Sequence, residues 1–446
     1  MNARLTLFIY NLLFPFALLI MLPGLAVRIA RRGNYRRKFA QRFGLYDTEV
    51  RARLAAGGRT WVHSISVGET FLALKLARKM KELDPARKLV LSVTTSTGFA
   101  LAERSATDWL EVIYNPLDAL PFVHRALKFI RPAQLIFIEA MWPNLLLGAK
   151  RRGIPVAMIP RLSQRSERRF HKFRFFTGGF FGAFDCLCAQ ETEDPPRLES
   201  VGADPANIHV TGSIKFDHAD DKPSGRVEGL REVTRSLGVK DGAPILLAGS
   251  TFPGEEKILV QLFCELRAQF PDLFLILVPR HVERTPEILD EIKQSGLNIA
   301  LRTRSETGAE KNAKADCLIV DTTGELRDWY HVGTVIFIGK SLESYGGQNP
   351  VEAAAAGKPV IVGPHMENFT NIVRLLLEHR AAIQVADAAG LKNEVARLLS
   401  QPELRQEMTR HIHKALEGHQ GATTRAASLL LKLGDRYAPA HASPGV

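Results

Sequence analysis

Cysteine is scarce in this chain: there are 4 in 446 residues, at positions 186, 188, 264 and 317, and no C-x-x-C pair among them. No histidine-rich stretch accompanies them, which disfavours a zinc site, and so sparse a set suits a reducing compartment. Cys186 and Cys188 are two apart, so on a strand they would share a face. No G-x-G-x-x-G with a following acid occurs, which disfavours a nicotinamide enzyme. No G-x-x-x-x-G-K-[ST] occurs either, which disfavours a P-loop nucleotidase. Acidic side chains are absent from residues 1–45.

That acid-free stretch is strongly basic, with Arg4, Arg28, Arg31, Arg32, Arg36, Arg37, Lys38 and Arg42. Within it, Leu5 to Val27 carries no charge over 23 residues, and a bilayer span needs about 20 mostly apolar residues. Asn11, Pro15, Pro23 and Gly24 interrupt it. A cleaved signal peptide suits it poorly, because the positive charge follows the apolar run. A spanning anchor, an interfacial helix and a buried core helix remain open. With the positive charge after the run, the first two put the rest of the chain on the cytoplasmic side of an inner membrane. A second basic cluster runs from Lys150 to Arg174, and Glu167 is its one acid. With a net charge of +12, the chain favours an anionic partner such as a phosphorylated lipid, against the plainer reading of solubility.

From residue 58 onward, short apolar runs alternate with amphipathic segments. Strands are expected at Trp61–Ser66, Lys88–Thr94, Glu111–Asn115, Gln134–Glu139, Pro155–Ile159 and Cys186–Ala189. A second series follows at Pro244–Ser250, Leu273–Pro279, Cys317–Val320, Thr334–Ile338 and Pro359–Val362. Helical patterns such as Phe71–Leu83, Phe122–Ile130, Glu255–Phe270 and Glu287–Gln294 lie between them. This alternation predicts an α/β protein of two Rossmann-like, doubly wound domains with parallel sheets. The polar segment at 214–228 reads as their linker. The expected division is an anchor with a basic juxtamembrane segment at 1–45, a first Rossmann-like domain at 46–214, a second at 229–400, and terminal helices and tail at 401–446. Two such domains make a cleft at the carboxyl ends of their strands, the layout of GT-B glycosyltransferases and also of unrelated two-domain enzymes, so the fold alone does not decide function.

Several loops at expected strand ends carry chemistry. Glu69, in His63-Ser-Ile-Ser-Val-Gly-Glu-Thr70, falls at a strand-to-helix turn and could take a proton from a sugar hydroxyl. Its spacing from Ser66 is also that of a capping box, so it could instead cap its own helix. Tyr345-Gly-Gly-Gln-Asn-Pro-Val-Glu352 offers two glycines for close backbone approach. Asn349 then suits an N-cap, Pro350 a first helical position and Glu352 the N3 position. Free N–H groups at such a helix start would suit a phosphate, unless the helix is simply capped. Gly249-Ser-Thr251, Pro279-Arg-His281 and Thr323-Gly-Glu325 also end apolar strands, and Arg280 offers a planar fork to a phosphate or a base edge. Ordinary turn chemistry is the alternative for all three.

Taken in order, these motifs resemble the 3-deoxy-D-manno-octulosonic acid (Kdo) transferase family. They are Ser66-Val-Gly-Glu-Thr70, Trp142-Pro-Asn144, Arg161-Leu-Ser163 with Arg165-Ser166, and Thr211-Gly-Ser-Ile-Lys-Phe-Asp217. They continue with Ala248-Gly-Ser-Thr251, Val278-Pro-Arg-His281, Gly346-Gly-Gln-Asn-Pro-Val-Glu352 and Gly363-Pro-His365. The resemblance runs from the N-terminus to about residue 385. It implies CMP-Kdo as donor, a lipid A precursor as acceptor and inversion in one displacement, without a metal or other cofactor and without nucleic acid as a partner.

By the same resemblance Glu69 is the general base, and Lys215 steadies transition-state charge. Ser250, Thr251, Pro279, Arg280, His281, Thr323, Gly324, Glu325, Gly346, Gly347, Gln348, Asn349, Pro350, Val351 and Glu352 hold the donor. Arg161, Ser163, Arg165 and Ser166 hold the acceptor. The family's Glu-Thr-Glu-x-Trp-Pro-Asn reads Ile138-Glu-Ala-Met-Trp-Pro-Asn144 here, so one of two paired acids is missing and Glu139 stands one place nearer the Trp. Gln348 replaces a more usual His. Two other readings remain: a GT-B transferase using a UDP-sugar and a polyprenyl-linked acceptor, and a non-enzymatic membrane-bound anion-binding module.

Overall fold

The computed structural model describes residues 5–14, 16, 38–161, 170, 172, 174–217, 225–306 and 314–437. Two compact units result: residues 1–217 with 421–446, and residues 218–420.

The first unit is built on β1 (Thr60–Ser64), β2 (Leu89–Val93), β3 (Leu110–Tyr114), β4 (Gln134–Glu139), β5 (Val156–Pro160), β6 (Cys186–Ala189) and β7 (Ile208–Val210). They form one sheet in the order β3-β2-β1-β4-β5-β6-β7, parallel throughout. Both faces are covered, so the central strands are apolar on both sides. Alternation sends Trp61, Leu135, Phe137 and Met158 into one core, and Val62, Ile136, Ile138 and Ala157 into the other. Cys186 and Cys188 join the second core together, as their spacing predicts. Each fully buried side chain of this size contributes roughly 1.5–3 kcal/mol.

The second core is closed by helix Val67–Leu83 and by helix Ala422–Arg436, through Leu76 and Met80 of the first and Ala426, Ala427 and Leu430 of the second. The sequence assigns all of 401–446 to one terminal segment, but the structure divides it. Helix Pro402–Glu417 stays with the second unit, and Ala422–Arg436 returns to the first. Asp217, buried, fixes the return: its carboxylate accepts the backbone N–H of Gly421 at 2.8 Å and of Thr423 at 2.6 Å. Arg425 Nε donates to the Thr211 carbonyl at 2.9 Å.

Of the expected anchor, residues 5–14 are helical, and the remainder of 5–27 falls mostly outside the described residues. Among the described residues no helix is long and apolar enough to cross a membrane. Helix 5–14 lies against the first unit through a polar clip. Tyr10 Oη donates to Asp118 at 3.0 Å, and Asn11 and Asn144 exchange two amide hydrogen bonds of 2.9 Å. Thr6 and Leu7 are buried, while Leu5, Phe8, Leu12 and Leu13 stay exposed. Asn11, which interrupts the apolar run in the sequence, is therefore part of the attachment.

Burial pushes the Asp118 carboxyl up to about 6, although the N–H groups of Asn144 and Leu145 and the Tyr10 hydroxyl pull it down. The folded value lies above the unfolded one. The stabilisation is therefore complete below the unfolded pKa near 3.8 and fades as pH rises through about 6. Relative to Asp118→Asn, the native chain should lose about 3 kcal/mol between those limits, at 1.36 kcal/mol per unit. Urea melts of both proteins at pH 4 and pH 7 check this. Parallel pH profiles would show that the Asp118 pKa is the same in the folded and unfolded chains.

The second unit repeats the plan with β8 (Ile245–Thr251), β9 (Phe274–Pro279), β10 (Ile299–Leu301), β11 (Cys317–Ile319), β12 (Val335–Ile338), β13 (Val360–Val362) and β14 (Ala382–Gln384). The order is β10-β11-β9-β8-β12-β13-β14, again parallel. Trp329, Phe263 and Phe337 are among its fully buried side chains.

Candidate active site

In an open α/β sheet, ligands bind beyond the carboxyl ends of the strands where the strand order reverses. In the first unit that point lies between β1 and β4. Glu69 follows β1, and Glu139 ends β4.

Glu69 stands in the first turn of helix Val67–Leu83, whose N-cap is Ser66. Ser66 Oγ accepts the Glu69 N–H at 3.2 Å, and Glu69 Oε2 accepts the Ile65 N–H at 2.8 Å. The capping role is thus realised, displaced by one residue from the usual box. The carboxylate is largely buried. Burial raises its pKa; the Ile65 N–H and Ser66 oppose this, and the Glu139 charge adds to it. A carboxylate raised in this way is a stronger base.

Glu139 has a φ of +58°. The Ala140 N–H closes back onto the Ile138 carbonyl at 2.6 Å, making a three-residue turn about Glu139 in the rarer, strained positive-φ form. Such outliers cost on the order of 1–3 kcal/mol and persist where the surroundings hold them. Arg161, just past β5, pairs with Glu139 Oε2 at 3.4 Å. Lys215 is half-buried in the loop after β7, and its pKa is lowered by burial and by Arg161, while Glu139 raises it. Glu69, Glu139, Arg161 and Lys215 therefore form one interacting charge set. Beneath it His63 is fully buried between the rings of Phe137 and Trp142, with centroids at 5.2 and 5.0 Å. Burial pushes its pKa down to about 3, so it is neutral at working pH.

The basic cluster after β4 is only partly described. Lys150 is committed to Asp185 at 2.6 Å and belongs to the scaffold. Ser163, Arg165 and Ser166 lie outside the described residues.

In the second unit the order reverses between β8 and β12. Ser250, next to last in β8, has a φ of +57°. Thr251 is fully buried, and its hydroxyl donates to Glu256 at 2.8 Å. The Arg280 N–H donates to the Thr251 carbonyl at 3.0 Å, so the loop after β9, with Pro279 buried and the Arg280 side chain exposed, is tied to the loop after β8. His281 packs its ring on Phe252, centroids 5.7 Å apart.

The third expected loop is more structural than the sequence implies. Glu325 takes a fork from Arg302 at 3.1 and 3.2 Å and the Thr322 hydroxyl at 2.7 Å, while Thr323 and Gly324 are exposed. Gly346 and Gly347 have φ of +108° and +66°. A Cβ on Gly347 would lie 2.4 Å from Met366 Sδ, so glycine is required by the close approach of the loop after β13. Gly346 is held from that loop by Glu367, whose Oε2 accepts its N–H at 2.7 Å.

The helix start differs from the expected one. The helix is Val351–Ala355, with Pro350 at its N-cap and Asn349 one place earlier. Asn349 Oδ1 already accepts the Val351 N–H at 3.1 Å, with Gln348 half-buried beside it. A helix of this length has little dipole, so an anion here would depend on individual N–H groups of the loop. Glu352 is half-buried in the first turn. Sequence reasoning missed Glu367 and the Arg161–Glu139 pair, because contacts between distant loops leave no local pattern.

Comparison with known proteins agrees with this layout. Residues 37–218 match the family described as 3-deoxy-D-manno-octulosonic-acid transferase (kdotransferase). The 3-deoxy-D-manno-octulosonic acid transferase of Haemophilus influenzae is 30% identical over 428 residues, covering 95% of this chain and 97% of the relative. That of Bordetella pertussis is 33% identical over 414 residues, covering 90% and 94%. A glycosyltransferase structure from Rickettsia africae, 14% identical with a TM-score of 0.50 and covering 85% of this chain and 98% of that one, shares the fold. The chain belongs to the 3-deoxy-D-manno-octulosonic acid transferase family of glycosyltransferases.

Proposed function

We propose that the protein transfers Kdo from CMP-Kdo to a lipid A precursor in lipopolysaccharide core biosynthesis, by one inverting displacement. The observation that carries this reading is the charge set of Glu69, Glu139, Arg161 and Lys215, with its two acids at the reversal point of the first sheet, in a chain of this family. Glu69 removes the proton from a sugar hydroxyl of the acceptor as that oxygen attacks the anomeric carbon of Kdo. The bond from that carbon to the CMP phosphate oxygen breaks, and CMP departs with one added negative charge. Lys215 steadies the charge that builds up in the transition state.

Glu139 has two roles. It keeps Arg161 in place through the 3.4 Å pair, and its charge holds Glu69 in a more basic state. In the second unit, Arg280 and the loop Gly346–Glu352 hold the donor. Arg161, Ser163, Arg165 and Ser166 receive the acceptor's phosphates. The exposed apolar side chains of helix 5–14 and the basic run that follows it in sequence support attachment to the inner membrane on its cytoplasmic side.

The test is incubation with CMP-Kdo and a tetra-acylated lipid A precursor, with products read by mass and a nucleotide panel run as melting shifts. A Kdo-bearing product is expected, and CMP but not UDP should raise the melting temperature. Stabilisation by UDP with no Kdo transfer would overturn the reading in favour of a UDP-sugar transferase.

A further inference from the structure

Glu255 opens helix Glu255–Leu266 and is fully buried, yet no cation pairs with it among the described residues. Its carboxylate is instead surrounded by backbone. Oε1 accepts the N–H of Ser341 at 3.0 Å and of Leu342 at 3.1 Å. Oε2 accepts the N–H of Phe252 at 2.9 Å and of Lys340 at 2.7 Å. One side chain thus joins the loop after β8 to the loop after β12. Ser341, also fully buried, extends the connection to a third loop. Its hydroxyl accepts the Gly363 N–H at 2.8 Å, and its carbonyl accepts the His365 N–H at 3.0 Å. The fit is tight, because a Cβ on Gly363 would lie 2.1 Å from the Ser341 carbonyl oxygen.

These loops carry Gly346, Gly347 and His365, and the first of them follows directly on Ser250 and Thr251 at the end of β8. Four N–H groups point at one acid, an arrangement that ordinarily receives a ligand's anion. Here the protein fills it with its own carboxylate, so these amides are unavailable to a donor phosphate. Charge-assisted hydrogen bonds of this kind are the stronger ones in a protein.

We infer that Glu255, acting with Ser341, is a positioning residue of the donor site: it locks the loops after β8, β12 and β13 in the one arrangement that binds the cytidine nucleotide. The inference rests on the reading of the second unit as the donor unit. Glu255→Gln is the sharpest probe. Its amide can satisfy two of the four N–H groups but turns its own donors toward the other two.

The experiment uses the full chain as wild type, Glu255→Gln and Ser341→Ala. The readouts are CMP affinity by calorimetry, KM for CMP-Kdo and for acceptor, melting temperature, and amide hydrogen exchange over residues 340–349 and 363–369. In Glu255→Gln the CMP affinity should fall, and the donor KM rise, by about tenfold or more, the scale of one lost hydrogen bond to a charged group. The acceptor KM should stay within about twofold, as expected for surfaces that share no partner. Exchange should quicken in both loops, and Ser341→Ala should show the same pattern more weakly. Faster exchange with unchanged CMP affinity would overturn the inference, as would unchanged exchange. If Glu255→Gln does not fold, Ser341→Ala decides by the same readouts. A wild-type protein that binds no CMP would instead sink the donor reading, so the two failures appear in different samples.

Discussion

Glu69→Gln should lower the rate of Kdo transfer by about a hundredfold or more, the usual worth of a positioned general base. CMP affinity should hold, and the melting temperature should not fall. The substitution keeps an acceptor for the Ile65 N–H, so the helix start survives. Folding should even gain at neutral pH. Burial raises the Glu69 pKa in the folded state, so its charged form is less favourable there than in the unfolded chain. The associated stability is complete at low pH and lessens as pH rises through the folded pKa. Glutamine carries no such charge. A catalytic defect without a stability defect is the signature of a group held for chemistry at some cost to the fold. The wild-type rate should fall on acidification through a pKa above the ordinary carboxylate value. Single-turnover assays across pH, beside thermal melts, read all of this. Near wild-type turnover in Glu69→Gln would leave the residue as a helix cap alone.

Lys215→Met should lower turnover by about 10²–10³-fold, the usual loss when one preorganised charge partner of a transition state is removed. The effect should fall on turnover more than on either KM, since charge that builds up only in the transition state is opposed only there. The structure supplies the physical reason. Lys215 is half-buried, so its charge is poorly screened, and burial together with Arg161 lowers its pKa while Glu139 raises it. The wild type should therefore also lose activity at alkaline pH below the usual lysine range, and Lys215→Arg should keep activity there. Loss of donor or acceptor binding with intact turnover would assign Lys215 to ground-state recognition instead.

Much of the scaffold was legible because the central strands are near-continuous apolar runs. Trp61, Val62, Leu275 and Ile276 are buried on sheets covered on both faces, and such runs separated by amphipathic helices read as parallel α/β structure. The strands β7, β10 and β14 were not legible. Each has three residues and lies at a sheet edge, and a partly solvated strand as short as Ile208-His209-Val210 is too brief for an apolar run or an alternation to register. The candidate base was legible from its place after β1, and so was its capping role, since both follow from local spacing. The pairing of Glu139 with Arg161 depends on which strands become neighbours, and a local reading does not contain that. Glu255 was hidden for a similar reason. An acid in the first turn of a helix ordinarily serves the helix, and only the tertiary fold brings three further amides to it. Thr323 to Glu325 is a further case of a partner hidden from local reading. The sequence places this loop at a strand end, and the fold adds the Arg302 fork on Glu325.

The clasp at Asp217 has an evolutionary consequence. Because its carboxylate joins Gly421 at 2.8 Å, the chain leaves the first unit and re-enters it at adjacent points. The intervening segment is therefore an insertion in the topological sense, spliced into a host whose two ends are already stapled together. A lineage could exchange that whole cassette for another while the host scaffold stayed intact, provided the staple survived. Conversely, shortening the polypeptide from its far end would first strip Ala422–Arg436 from the host, leaving the cassette untouched.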